Sequence, residues 1–263
     1  MPSQLAVQMY TVRDFTRTAS ELAETLRKVR ALGYEAVQLS AVDAMNGDDP
    51  AVDAATARRM LDDNGLRCIA THRSWDRLAA ETDLEIEFHR ILGCDFTAIG
   101  GIPGSYGERG PEGFRAFVAD ARPVIARLRA GGIRFGYHNH AFEFMRCGEG
   151  RNTLYDLLID SGNPDLLLEL DVYWADHAGV NPERLLERCP GRVPVVHLKD
   201  KEISPEGQPM VAPIGEGNID WPGILRACRA AGVEWYAIEQ DECRRDPFDC
   251  LRSSFEFLKR QGE

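Results

Sequence analysis

The sequence predicts an α/β protein in which eight parallel strands alternate with helices and close into a single (β/α)8 TIM barrel. The chain has 263 residues, close to the length of about 250 residues that is typical of this barrel. Apolar, strand-like runs alternate with helical stretches along the chain, which is typical of a parallel sheet. No linker, tail or low-complexity segment interrupts this pattern, and we therefore expect one domain over residues 1–263.

A glycine after each of five helical stretches marks where strands begin. Glycine just past a helix adopts the left-handed conformation that ends the helix. The apolar runs that follow are continuous rather than alternating, as in strands buried on both faces of a sheet. The five glycines are Gly33, Gly65, Gly93, Gly132 and Gly232. Together with three further runs they predict eight strands, at residues 5–10, 34–40, 67–72, 95–100, 133–139, 166–172, 192–198 and 234–240.

Signals for the start of helices lie between these strands. Thr18 or Ser20 is an N-cap candidate for the first helix. Pro111 lies at the start of a long helical stretch, and Asn181 and Asp220 lie just before helices that begin with proline. Eight strand–helix units in this length favour a closed barrel, and a doubly wound open sheet is the alternative.

Charge and composition disfavour several classes of partner. The chain carries 31 basic and 42 acidic residues, a net charge of −11, which disfavours binding to a phosphate backbone. No apolar stretch reaches about 18 residues, and the N-terminus lacks the pattern of a signal peptide. Seven cysteines without a C-x-x-C pair indicate reduced thiols. We therefore expect a cytoplasmic protein that binds neither nucleic acid nor a membrane.

Histidines gather at the proposed strand ends. In barrels of this kind the chemistry lies at the C-terminal ends of the strands. Four of the six histidines lie at such ends, namely His72, His138, His140 and His197. Structural histidines scattered along a chain would not concentrate in this way, so the set predicts a functional site at this end of the barrel.

Two carboxylates also end apolar runs, Asp171 in LLLELD and Glu239 in WYAIE. A carboxylate in such a position must be paired, hydrogen-bonded or metal-bound, because its burial is otherwise costly. Asp171, Glu239 and His197 converging on one barrel mouth favour a divalent metal ion as the group that joins them. The alternative is a ring of ion pairs with Lys199 or Arg13. Mixed oxygen and nitrogen ligands suit Mn²⁺, Zn²⁺, Co²⁺ or Mg²⁺ without choosing among them.

The segment PIGEGNIDW invites interpretation as a phosphate-binding loop. It contains only two glycines, Gly215 and Gly217, and it lacks the strand–glycine–helix context of a dinucleotide site. We interpret it as the loop before the last helix, with Asp220 as the helix cap and Glu216 near the rim.

Six segments occur in the order LAVQMYTVRD, GYHNHAFEF, LELDVYWADHAGVNP, VVHLKDK, PIGEGNIDW and YAIEQD, most of them at a proposed strand end. Each alone is a weak signal. Together they resemble the xylose isomerase-like TIM-barrel superfamily, the sugar phosphate isomerases and epimerases, over nearly the whole chain. The resemblance implies a TIM barrel that acts on a small carbohydrate, and it makes a homo-oligomer an expectation by analogy.

The resemblance also implies a metal held by a Glu-Asp-His-Glu set. Asp171, His197 and Glu239 match the last three ligands. The first glutamate has no direct match, because the strand end carries His138 and the nearest glutamate is Glu143. Either Glu143 folds back from the loop to bind the metal, which is our first expectation, or His138 replaces it. One divalent ion is expected, with Mn²⁺ as the first choice and Zn²⁺, Co²⁺ or Mg²⁺ as alternatives.

These residues predict a divalent-metal-dependent sugar isomerase or epimerase. The metal would act as a Lewis acid on a keto-sugar or sugar derivative, and a base would remove a proton next to the carbonyl through a metal-stabilised enediolate. His138, His140 and Glu143 are candidates for the base, and Glu239 is a further candidate for a catalytic role. Lys199 is a candidate for binding a substrate oxygen or, alternatively, for a structural ion pair. Residues that we expect to line the sugar pocket, unless they belong to the core, are Tyr10, His72, Trp75 and Trp174.

Three other functions fit parts of the same pattern. The same site could perform the chemistry of an inosose dehydratase or a 3-keto-glycoside lyase, by expelling a β-leaving group instead of returning the proton. A DNA repair enzyme similar to endonuclease IV is a second alternative, which the net charge of −11 disfavours. The third is a sugar-binding barrel without catalysis, or a subunit whose partner completes the site.

Overall fold

The computed structural model describes residues 4–47, 49–148 and 152–263. Its ten strands are β1 Leu5–Gln8, β2 Ala36–Leu39, β3 Arg67–His72, β4 Phe96–Ile99, β5 Arg134–His138, β6 Leu166–Asp171, β7 Val195–Leu198, β8 Asp200–Ile203, β9 Pro209–Ala212 and β10 Trp235–Ile238. β1 to β7 pair in parallel in chain order, and β10 closes the barrel between β7 and β1. The predicted eight-stranded TIM barrel is confirmed, and every predicted strand overlaps an observed one.

A two-stranded antiparallel hairpin, which the sequence did not predict, leaves the barrel after β7. β8 and β9 pair from Asp200 opposite Ala212 to Ile203 opposite Pro209. Both strands are four residues long and mix buried, half-buried and exposed positions, so they lack the continuous apolar run that marks the barrel strands. The hairpin therefore projects from the C-terminal end of the barrel.

Helices cover the outside of the barrel. They are α1 Ala19–Ala31, α2 Ala54–Asp63, α3 Trp75–Ala80, α4 Thr82–Leu92, α5 Gly104–Gly107, α6 Gly110–Ala130, α7 Leu154–Ile159, α8 Val172–His177, α9 Pro182–Glu187, α10 Trp221–Ala231 and α11 Pro247–Arg260. Asn181 and Asp220 cap α9 and α10 through their side chains. The loop PIGEGNIDW precedes α10, which is not the last helix as predicted, because α11 follows β10. No helix among the described residues is long and apolar enough to cross a membrane.

The predicted glycine caps take the left-handed conformation. Gly93 ends α4 with φ of 68° and Gly232 ends α10 with φ of 78°. A side chain at either position would be strained, because L-residues rarely adopt positive φ. The pattern of helix, glycine and buried strand in the sequence thus reports real helix ends.

Thr18 begins α1 with a capping box. Its side chain accepts a hydrogen bond from the backbone N–H of Glu21, and the Glu21 carboxylate accepts one from the backbone N–H of Thr18. We expect Thr18→Ala to lower the free energy of unfolding by about 1 kcal/mol, measured by urea denaturation. Thr18→Ser keeps the hydroxyl and should stay close to the wild type; equal losses in both variants would contradict the capping role.

The interior of the barrel changes from apolar to polar along most of its strands. Successive side chains of a strand point to opposite faces, so residues two apart share the interior. The apolar layer near the strand starts is formed by Ala6, Ala36, Ala70, Phe96, Val195 and Ala237. Two residues further on, five strands carry buried or half-buried polar side chains: Gln8, Gln38, His72, His197 and Glu239. This polar layer is the floor of the barrel mouth.

Candidate metal centre

Asp171, His197 and Glu239 meet at the C-terminal mouth of the barrel. β6 ends at Asp171, which pairs in register with His197 of β7, and Glu239 directly follows β10. One ligand atom from each lies within 4.8 Å of the others, and all three side chains are buried. The structure therefore brings together the three residues that strand-end position and family resemblance both indicated.

Lys199 is the buried cation among these carboxylates. Its Nζ lies 3.0 Å from Asp171 Oδ2, 3.0 Å from Glu239 Oε2 and 3.0 Å from Asp241 Oδ2. Burial lowers the pKa of Lys199, but the three carboxylates outweigh burial and raise that pKa above its usual range. The ion-pair ring that we considered as an alternative is thus present with Lys199 as its cation. Arg13 instead donates to backbone oxygens of Tyr10 and Asp241.

His197 lies between two carboxylates and contacts one with each ring nitrogen. Nδ1 lies 2.8 Å from Glu239 Oε2, whereas Nε2 lies 3.2 Å from Glu169 Oε2 and 2.8 Å from Gln38 Oε1. Burial lowers the pKa of His197, but the charges of Glu169 and Glu239 raise it to about 10. At neutral pH this pKa favours the imidazolium, with a proton on each ring nitrogen.

A second group of potential metal ligands lies beside the first and shares His197 with it. It consists of His72, His138, Glu169 and His197, whose ligand atoms also lie within 4.8 Å of one another. Glu169 Oε2 lies 2.5 Å from His72 Nε2 and 3.6 Å from His138 Nδ1. Burial raises the pKa of Glu169, but the charges of His197 and His72 lower it to about 2. Glu169 was not among the predicted site residues, although it shares a strand face with Asp171.

Two glutamine side chains hold these carboxylates in place. Gln8 Nε2 donates to Glu239 Oε1 at 3.0 Å, and Gln38 Nε2 donates to Glu169 Oε1 at 2.8 Å. Both glutamines are buried at the ends of strands β1 and β2. The sequence alone assigned neither glutamine a role, since only the closed barrel shows which carboxylate each one contacts.

Glu143 takes a position outside both groups. Its carboxylate accepts hydrogen bonds from the Tyr137 hydroxyl at 2.9 Å and from the backbone N–H of His140 at 2.8 Å. Burial raises the pKa of Glu143 to about 7. Among the described residues, His138 belongs to the second ligand group, whereas Glu143 belongs to neither group. The loop does fold Glu143 back, but toward Tyr137.

A cavity of about 300 Å³ opens above the polar layer. Its lining includes Tyr10, His72, His138, His140, Lys199 and Glu239. Burial and the Lys199 charge lower the pKa of His140 to about 4, so this ring is neutral at neutral pH. A larger cavity of about 460 Å³ near α9 has none of the potential metal ligands in its lining. We therefore take the smaller cavity, which the potential ligands line, as the candidate site.

The two predicted pocket tryptophans lie in different places. The Trp174 ring lies 5.5 Å from the His140 ring, at the edge of the site. The Trp75 ring packs edge-on against Phe117 at 5.0 Å and Phe135 at 6.2 Å. Trp75 is buried and is not part of the cavity lining, so in this structure it contributes to the core.

The family model of xylose isomerase-like TIM barrels matches residues 26–261. The chain belongs to this family. The resemblance in the strand-end segments is therefore confirmed for nearly the whole chain. No curated protein matches the chain.

Solved structures share the fold of this family member. Two sugar phosphate isomerase/epimerases from Parabacteroides distasonis superpose with TM-scores of 0.80, at 21% identity over 98% of both chains and at 19% identity over 98% of this chain and 94% of the other. A structure of L-ribulose 3-epimerase gives a TM-score of 0.70 at 16% identity, covering 98% of this chain and 93% of that one. At these identities the comparison shows the fold alone, an eight-stranded TIM barrel.

Proposed function

We propose that this protein is a divalent-metal-dependent isomerase or epimerase of a keto-sugar or a keto-sugar derivative. The observation that carries the proposal is the convergence of Asp171, His197 and Glu239 within 4.8 Å beside the cavity. Membership of the xylose isomerase-like family supports a small carbohydrate as substrate. The comparisons give no support to the lyase alternative, so proton return is the outcome that we propose.

The residues present fit a divalent ion. Among the described residues, Asp171 Oδ2 is buried with no hydrogen-bond partner, and its neighbour is the Lys199 ammonium at 3.0 Å. Glu239 supplies a second carboxylate and His197 an imidazole. This donor set of oxygen and nitrogen suits Mn²⁺, Zn²⁺, Co²⁺ or Mg²⁺, and we propose Mn²⁺ as the first ion to test. When bound, the ion would supply Lewis acidity to a carbonyl oxygen and a neighbouring hydroxyl of the substrate.

Lys199 would stabilise negative charge on a substrate oxygen. Its ammonium lines the cavity and is held by three carboxylates, so it is oriented before the substrate arrives. Preorganised cations of this kind lower the energy of charge that develops during proton removal. The same contacts place Lys199 in structural ion pairs. Binding a substrate oxygen and forming a structural ion pair, the two roles that the sequence left open, are therefore compatible.

His140 is the base that we propose. It lines the cavity and is half-buried, so a substrate can reach its ring. The other candidates are less available: His138 is buried, and the Glu239 oxygens contact Gln8, His197 and Lys199. Glu143 holds the backbone N–H of His140, so we propose that it positions this histidine.

Proton exchange with solvent tests the proposal directly. The Mn²⁺-loaded protein is incubated in D2O with free ketoses, inososes and 3-keto-glycosides, and NMR detects deuterium at carbon next to the carbonyl. We expect exchange on at least one substrate, and a decrease of about 10²–10⁴-fold for His140→Gln, the range typical of a lost general base. His177→Gln removes an exposed histidine on α8 and is the matched control.

Metal dependence is checked on the same samples. Asp171→Asn should abolish exchange, whereas Asp63→Asn, an exposed carboxylate at the end of α2, should not. A wild type that exchanges no substrate, or an Asp171→Asn variant as active as the wild type, would rule out the proposed function.

A further inference from the structure

The second ligand group has a geometry that its own hydrogen bonds do not explain. Three imidazole rings surround one carboxylate oxygen, Glu169 Oε2, with nitrogen distances of 2.5, 3.2 and 3.6 Å. A carboxylate oxygen has about two lone-pair directions, so it cannot bind all three rings well. His138 Nδ1 is the nitrogen left over: it is buried and has no hydrogen-bond partner among the described residues.

The three rings lie close together around this point, with His72 stacked on His197 and His138 tilted against both. The His138 and His197 ring centroids lie 4.5 Å apart, and the His72 ring lies 5.2 Å from His138 and 5.6 Å from His197. Glu169 and His197 are fully buried, and His72 retains 15% side-chain exposure toward the cavity. The group is therefore enclosed on one side and reachable from solvent on the other.

Lys199 distinguishes this group from the first one. Its ammonium contacts Asp171, Glu239 and Asp241, so those carboxylates already have a cation. It has no ion pair with Glu169 among the described contacts, and the groups near Glu169 are imidazoles and Gln38. A dication beside Glu169 would therefore lie next to imidazoles, which can lose a proton and bind it, rather than next to a permanent ammonium charge.

We propose that His72, His138, Glu169 and His197 form a binding site for one divalent transition-metal ion, separate from the Asp171 and Glu239 carboxylates. Three imidazoles and one carboxylate are a donor set for Zn²⁺, Co²⁺ or Mn²⁺ and a poor one for Mg²⁺, which prefers oxygen ligands. Gln38 Nε2 donates to Glu169 Oε1 and would orient this ligand. Its Oε1 contacts His197 Nε2, the ring nitrogen that would turn to the ion instead. The two groups share His197, which faces Glu169 with Nε2 and Glu239 with Nδ1.

Direct counting of ligands on the wild type tests the site without a mutation. The chelator-treated protein is loaded with one equivalent of Zn²⁺ and examined by X-ray absorption spectroscopy. The proposed site gives three imidazoles at the Zn–N distance of about 2.0–2.1 Å. A spectrum that fits a single imidazole among oxygen ligands would assign the ion to the Asp171 group and overturn the proposal.

Variants separate the two groups in a Co²⁺ titration followed by visible absorption. Asp171→Asn should still bind one equivalent, because Asp171 is not a ligand of the proposed site. In that background, His72→Asn and Glu169→Gln should each weaken Co²⁺ binding by more than about 100-fold. Residues that only orient a ligand typically contribute about 10–100-fold. His177→Asn and Glu187→Gln, both exposed, are the controls. Unchanged affinity in both ligand variants, or loss of binding in Asp171→Asn alone, would overturn the site.

Circular dichroism of each variant shows whether loss of metal binding reflects loss of the fold. If a variant does not fold, the X-ray absorption spectrum of the wild type still tests the proposed ligands. The site does not depend on the proposed reaction. A protein that binds Zn²⁺ through three imidazoles but exchanges no substrate retains this site and loses the proposed function; one that exchanges substrate with a single-imidazole ion shows the reverse.

Discussion

Replacing Lys199 with methionine is expected to destabilise the protein by about 3–5 kcal/mol, the cost typical of removing one partner from a buried ion pair. Methionine has a similar length and fills the space, so the loss would come from charge and not from packing. Without the ammonium, Asp171, Glu239 and Asp241 would remain close together in a buried site. Urea denaturation of the metal-free protein measures the free energy of unfolding.

A divalent ion should reverse part of this loss. Mn²⁺ placed near the same carboxylates replaces the missing positive charge, and an ion that binds only the folded state stabilises it by mass action. We therefore expect Mn²⁺ to raise the Tm of Lys199→Met by more than it raises the Tm of the wild type. Lys201→Met is the matched control, because this partly exposed lysine pairs with Asp176 away from the site. If both variants lose the same stability and respond equally to Mn²⁺, the buried carboxylates do not depend on Lys199.

The sequence was sufficient to predict the barrel and the polar residues that end several of its strands. Buried parallel strands require continuous apolar runs, and the glycines that end the helices mark where those runs begin. Asp171 and Glu239 stood out because each ends such a run, where an unpaired charge is costly. In both cases a local pattern carries the physical constraint, so a single chain is enough to detect it.

The residues that the sequence did not assign depend on contacts between distant strands. Glu169 lies inside the run LLLELD, and its partners Gln38 and His72 come from strands 131 and 97 residues away. The position of Glu143 depends on the Tyr137 hydroxyl, which holds its carboxylate against the strand. Spacing alone gives the distance along the chain and not the direction in which a loop turns. The β8–β9 hairpin was missed for the opposite reason, since its short, partly exposed strands have little apolar pattern to detect.

Asp200→Asn is expected to lower the free energy of unfolding by at least about 1–3 kcal/mol, the cost typical of leaving buried hydrogen-bonding groups unsatisfied, because one buried carboxylate organises the loop that follows the hairpin. Its two oxygens accept five N–H groups, and an asparagine amide would turn one acceptor into a donor that faces other donors. The donors are the backbone N–H groups of Lys201 at 2.8 Å, Gly215 at 2.8 Å, Gly217 at 3.1 Å and Ile219 at 3.2 Å, and Trp221 Nε1 at 2.7 Å.

Close packing around this carboxylate leaves little room for adjustment. A Cβ at Gly217 would overlap the Asp200 carboxylate, so the loop is shaped around it, and Trp221 begins α10. Asp220→Asn is the matched control: Asp220 accepts one N–H, from Gly223, and asparagine caps a helix about as well as aspartate. Urea denaturation should therefore show a large loss of unfolding free energy for Asp200→Asn and a loss of only about a few tenths of a kcal/mol for Asp220→Asn.

The Asp200→Asn variant should also lose keto-sugar exchange. Because Lys199 directly precedes Asp200, a loop that loses this anchor should release Lys199 from its carboxylates. Loss of stability with full exchange would show that the loop and the barrel mouth are independent.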